Sequence, residues 1–191
     1  MEYGKQRRRP NRLKGFNYAE PGAYFVTIIT QDRTCLFGEI NNGVMQINKA
    51  GQAIKPWWFE LKQKFSTVET DEFVIMPNHL HGIVVITEGI VGADLRVGPP
   101  VERTGAHTGA PLPTIIQWFK TMTTNEYIRG VKTLGWPMIR GQLWQRSYYD
   151  HIIRDADSLH RIRQYIVDNP ARWAFDRENP EITTLERDGA H

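Results

Sequence analysis

The chain has almost no cysteine: Cys35 is the single one among 191 residues. One thiol cannot close an internal disulfide and cannot build a thiolate metal site. Long apolar runs are also missing, and no stretch approaches the roughly 20 residues that a membrane helix needs. The first residues are basic, but no apolar segment follows them, so no secretory signal is read there. No segment repeats. Together these absences give the expectation of a cytoplasmic protein with no membrane partner.

What is present is uneven. The net charge is only +3, yet "GKQRRRPNRLKG" gathers Lys5, Arg7, Arg8, Arg9, Arg12 and Lys14. Such an arm can neutralise several phosphates, or simply be a solvated tail. "GAYFVTIITQ" is β-branched and aromatic and predicts a strand. Asn42-Gly43 then signals a hairpin. From Ala50 to Phe65 the apolar residues Ile54, Trp57, Trp58, Leu61 and Phe65 recur at helical spacing, with Pro56 read in the first turns. "DEFVIMPN" and "HLHGIVVIT" predict two strands joined tightly at Pro77-Asn78. "LPTIIQWFKTMTTNEYIRG" predicts a helix capped near Thr114 and ending at Gly130. "LWQRSYYDHIIR" predicts a strand, and "DADSLHRIRQYIVDNP" a last helix with acidic residues suited to its N-terminal dipole.

That order is the α+β, ferredoxin-like split βαβ pattern. It predicts a mainly antiparallel sheet with helices on one face, plus a C-terminal helix. One domain is expected over 1–191, with a basic arm to about residue 17, a Gly/Pro-rich loop at about 88–111 and a polar tail from about 174.

His79 and His81 are two apart on a predicted strand, so both imidazoles share one face. They read either as polar residues on the solvent side of an edge strand, or as two metal ligands that need a third from elsewhere. In the last helix Tyr165 and Asn169 are four apart and stack on one face beside the stripe of Leu159, Ile162 and Ile166. An amide oxygen from Asn169 would suit a hard cation, and Tyr165 would then be poised to attack what the cation holds. The plainer alternative is a packing tyrosine and a helix-stopping asparagine. Tyr148 and Tyr149 are rivals, the latter sharing a strand face with His151. His107 and His191 read as incidental, and His160 as solvent-facing.

Four stretches, "GAYFVTIITQDR", "VIMPNHLHGIVVI", "WQRSYYDHIIRD" and "RIRQYIVDNPARW", carry a resemblance from about Tyr18 to Trp173. The chain resembles the HUH single-strand tyrosine transposases, most of all the REP-associated tyrosine transposases. "HLH" fits the histidine–hydrophobe–histidine signature, and "YIVDNP" fits the tyrosine-helix pattern Tyr-x-x-x-Asn-Pro. The resemblance implies that His79 and His81 bind a divalent metal, Mg²⁺ or Mn²⁺. It implies that Tyr165 is the nucleophile and forms a 5′-phosphotyrosine link. It implies that Asn169 stands where the third metal ligand belongs, a position where many simpler relatives carry glutamine.

The expected partner is single-stranded or hairpin DNA at repetitive extragenic palindromes, with no small-molecule cofactor. A bacterial, nucleoid-associated monomer is expected. Arg7, Arg8, Arg9, Arg12 and Lys14 are the candidate DNA contacts, with Lys120 and Arg146 as further candidates. Two other readings stay open: a non-catalytic single-stranded nucleic-acid-binding module of the same fold, and a hydrolytic metallonuclease that forms no covalent intermediate.

Overall fold

A computed structural model describes residues 15–88 and 109–182. The arm residues Arg7, Arg8, Arg9, Arg12 and Lys14, together with His107 and His191, lie outside the described residues. The elements run β1 (Gly22–Ile29), β2 (Gly38–Asn41), β3 (Val44–Ile47), α1 (Lys49–Lys64), β4 (Val68–Ile75), β5 (His79–Ile86), α2 (Leu112–Leu134), β6 (Tyr149–Ile153) and α3 (Ala156–Asp168). A 3-10 turn, Pro170–Phe175, follows α3. The main sheet has the order β4-β5-β1-β6, with every neighbour antiparallel. The split βαβ arrangement is therefore present. β2 and β3 form a separate hairpin, turned by Asn42 at φ 51° and Gly43 at φ 75°. Those two left-handed residues are what a two-residue turn of this hand requires. Among the described residues, no helix is long and apolar enough to cross a membrane.

Strand alternation divides the sheet. Tyr24, Val26 and Ile28 of β1, with Leu80 and Val84 of β5, join the main core. α1 brings Ile54, Trp58 and Leu61 to that core, and α2 brings Ile115, Ile116 and Phe119. Gly82 has a steric reason: a Cβ there would lie 2.4 Å from the Trp58 ring. Trp58 needs that space because its ring also stacks on Phe73, with centroids 5.7 Å apart. The alternate residues Phe25, Ile83 and Val85 face the other way and pack with Leu159, Ile162 and Ile166 of α3. α3 thus covers the face opposite α1 and α2.

Three local expectations change. Pro56 lies inside α1 and not in its first turns. Gly130 does not end α2, which continues to Leu134 and closes on Gly135 in the left-handed conformation. Gly130 is a slot instead: a Cβ there would fall 2.1 Å from the Trp136 ring. A sequence cannot distinguish a glycine that stops a helix from one that admits a neighbour's ring. The predicted start also shifts, to Leu112 after Pro111, and no side chain caps it.

Candidate metal centre

β5 is an interior strand, flanked by β4 and β1. His79 is 0% exposed and His81 4%, so the reading of two solvent-facing histidines on an edge strand fails. Both lie on the α3 side of the sheet. Their Nε2 atoms are 3.0 Å apart. The outer nitrogens are also engaged: His79 Nδ1 is 2.9 Å from Asn78 Oδ1, and His81 Nδ1 is 2.8 Å from Thr27 Oγ1. Thr27 is opposite His81 in the β1–β5 register, which is why its hydroxyl is there. Phe25 stacks on His81 with ring centroids 5.3 Å apart. Imidazoles held from outside, with their inner nitrogens converging, are arranged as metal ligands commonly are. Burial pushes the His79 pKa down to about 3, and burial followed by the proximity of His79 lowers that of His81. Both rings are therefore neutral at pH 7, the form in which histidine binds a metal.

The C-terminal turn supplies oxygen. Asp176 Oδ2 is 3.7 Å from His79 Nε2, and ligand atoms of His79, His81 and Asp176 all lie within 4.8 Å of one another. This cluster could hold a metal ion. Asn169 is 2% exposed, and its amide lies beside His79 and Tyr165. Its Oδ1 is buried and accepts no hydrogen bond. A buried acceptor left open next to two converging imidazoles and a carboxylate fits a divalent cation by the chemistry of the donors.

Tyr165 faces this cluster from α3. Its Oη is 3.4 Å from His81 Nε2, and its ring centroid is 5.3 Å from that of His81. The residue is 40% exposed and borders an open cavity of about 420 Å³ that Thr27, Asn169, Arg172 and Phe175 also line. Burial, and then the charge of Asp176, pushes the phenol's pKa up, so the protein by itself does not activate it. A cation in the cluster would act in the opposite sense.

The rival tyrosines separate. Tyr148 is buried in the main core under the Lys120 ammonium, which sits 5.5 Å from its ring centroid. Tyr149 pairs in register with Thr27 and lines the same cavity as Tyr165. His151 and His160 are exposed.

Lys120 lines a second groove along α2 but is largely buried. It is 8% exposed, and its ammonium donates to the carbonyls of Gln145 at 2.9 Å and Ser147 at 3.0 Å. It holds the segment leading into β6, a structural task that its sequence context did not reveal. Arg146 is exposed and lines the same groove with Gln117 and Gln142.

The polar tail from about residue 174 supplies Asp176 and Glu178 to the site. Arg172 and Arg177 line its cavity, and Phe175 is 86% exposed at the mouth. The one signal in the sequence was an Asn-Pro helix stop followed by alternating charges, which any solvated tail also shows.

No protein-family model matches the sequence. An uncharacterised protein of Haemophilus influenzae strain Rd is 37% identical over 179 residues, covering 91% of this chain and 94% of that protein. Among solved structures, a REP-associated tyrosine transposase bound to a REP hairpin aligns with a TM-score of 0.51. It is 16% identical, over 86% of this chain and 73% of its own.

Proposed function

We propose that this chain, which belongs to one family with the Haemophilus influenzae protein and has the fold of the REP-associated tyrosine transposase, cleaves and rejoins single-stranded DNA through a tyrosine-linked intermediate. The observation that carries the reading is the phenol of Tyr165, 3.4 Å from His81, open to a cavity beside converging imidazoles and carboxylate. The resemblance in the four sequence stretches supports His79 and His81 as metal ligands and Tyr165 as the nucleophile; it implied Asn169, not Asp176, as the third ligand.

His79, His81 and Asp176 are the residues to hold a divalent cation, Mg²⁺ or Mn²⁺, with Asn169 Oδ1 as a further oxygen donor. When bound, the cation supplies charge withdrawal from a non-bridging phosphate oxygen. The chain's own groups do the rest. Tyr165 Oη attacks phosphorus in line and loses its proton to solvent. The bond from phosphorus to the 3′-oxygen breaks, and that oxygen takes up a proton. A 5′-phosphotyrosine and a free 3′-hydroxyl result, and attack by a 3′-hydroxyl runs the step backwards. The ester is exchanged rather than spent, so no nucleotide triphosphate is needed. All five groups come from one chain, so the proposed site is complete without a partner subunit and a monomer is proposed.

DNA enters as a single strand or as the flank of a hairpin, as in the REP hairpin bound by the structural neighbour. Arg7, Arg8, Arg9, Arg12 and Lys14 are proposed phosphate contacts, and Arg146 a further one. Arg172 and Arg177 join them at the cavity, where Phe175 presents a face for a base to stack on.

The test is a denaturing gel of the protein with labelled single-stranded hairpin DNA and Mn²⁺. A covalent adduct absent from Tyr165→Phe is the expected result. An adduct kept in Tyr165→Phe and lost in Tyr149→Phe would reassign the nucleophile. Cleavage without an adduct would indicate a hydrolytic nuclease, and binding with neither would leave a non-catalytic DNA-binding module.

A further inference from the structure

We propose that Asn78 is a positioning residue that assembles the donor set, fixing the ring proton of His79 and tying the segment that carries Asp176 to the same point. The inference rests on the metal-centre reading above and extends it to a residue outside the donors. Asn78 is fully buried in the connection between β4 and β5. Its Nδ2 donates to the carbonyls of Arg33 at 2.9 Å and Glu178 at 2.7 Å. Exchanging the amide's oxygen and nitrogen would set an oxygen against two carbonyl oxygens, so the orientation is determined. Oδ1 therefore faces His79 Nδ1 at 2.9 Å, and that nitrogen must carry the ring proton. His79 Nε2 is left with a lone pair directed at the cluster.

The second half of the device starts from the bond to Glu178. Glu178 N–H donates to Asp176 Oδ1 at 2.7 Å. That occupies one carboxylate oxygen, and the other, Oδ2, is the atom turned toward His79. Arg33 closes the ring by donating to Glu178 Oε2 at 2.6 Å. Arg33 sits at φ 55°, a conformation a non-glycine residue holds only where its surroundings impose it. One carboxamide thus joins β5 to a residue 100 positions later. It presents a nitrogen and an oxygen donor to the same space.

The first test needs no variant. Ring ¹⁵N NMR of the metal-free wild-type protein should show His79 protonated on Nδ1, and a proton on Nε2 would overturn the proposal. Next, Asn78→Ala should mix the tautomers and weaken Mn²⁺ binding, followed by electron paramagnetic resonance, by about 10- to 100-fold. Asn78→Asp keeps the acceptor and loses both donors. It should restore the Nδ1 proton while amide exchange at Glu178 and Asn179 stays faster than in wild type. Unchanged Mn²⁺ affinity in Asn78→Ala, or unchanged exchange in both variants, would refute the role. If the wild type binds no Mn²⁺, the metal reading fails by itself, and the tautomer and exchange results still judge Asn78.

Discussion

The two faces of one sheet are built to opposite rules. On the α1–α2 side, β1 and β5 present Tyr24, Val26, Ile28, Leu80 and Val84 to a closed apolar core. On the α3 side the intervening residues of the same strands include Thr27, His79 and His81, with Asn169 and Asp176 brought over them. The first face holds the fold through burial of apolar surface. The second buries two imidazoles whose protonation it suppresses and an amide oxygen without a partner. Groups arranged at a cost to stability are what a functional site is expected to contain.

Breaking the first face should have the largest thermodynamic effect. Trp58→Ala removes the ring that fills the space over Gly82 and should lower unfolding stability by about 3–5 kcal/mol in urea denaturation. Tyr165→Phe, at the half-exposed edge of the second face, should leave the denaturation midpoint nearly unchanged while abolishing the adduct.

Acid should act through the second face. In the metal-free protein His79 has a folded pKa of about 3, below the ordinary value of 6.5, and His81 is lowered as well. Below pH 6.5 the unfolded chain binds protons that the native protein refuses. Stability is therefore complete above that pH and falls as the pH drops toward 3. The slope should be up to about 1.4 kcal/mol per pH unit for each histidine, and His79→Gln should remove about half of it. Denaturation curves at pH 7, 6, 5 and 4 measure this, and a flat profile would contradict two buried neutral rings.

Asn169→Leu sharpens the comparison further. Replacing an unpartnered buried acceptor with an apolar side chain should leave stability within about 1 kcal/mol of wild type while Mn²⁺ binding falls. Calorimetric titration with Mn²⁺ checks it. The smallest effect is expected at the rim, where Arg163 of α3 donates to Asp71 at 2.9 Å. The hydrogen bond from Arg163 chiefly lowers the Asp71 pKa, so its contribution is present above the normal carboxylate pKa and lost as the pH falls through the lowered one. Asp71→Asn should barely move the melting temperature, because Arg163 is largely in water.

Much of this contrast was legible in the sequence. Alternation in "HLHGIVVI" put His79 and His81 on one side and Leu80 on the other, and a period of 3.6 put Tyr165 and Asn169 on one side of α3. The predicted arrangement of strands agrees with the sheet order. The burial of Lys120 was not legible because a lysine that caps buried carbonyls looks the same in sequence as one on a surface. Asp176 was missed because it follows no periodic element. Its place is set through Glu178, whose N–H donates to Asp176 Oδ1 while its carbonyl accepts from Asn78 and its carboxylate from Arg33, 100 and 145 positions away.

The sequence by itself determined which residues share a face within each strand and helix, because those periods are properties of a local backbone. Only the tertiary structure decided that α3 lies over the histidine face and that the C-terminal turn delivers a carboxylate there. Those placements depend on contacts between distant parts of the chain, and no local pattern specifies such a contact.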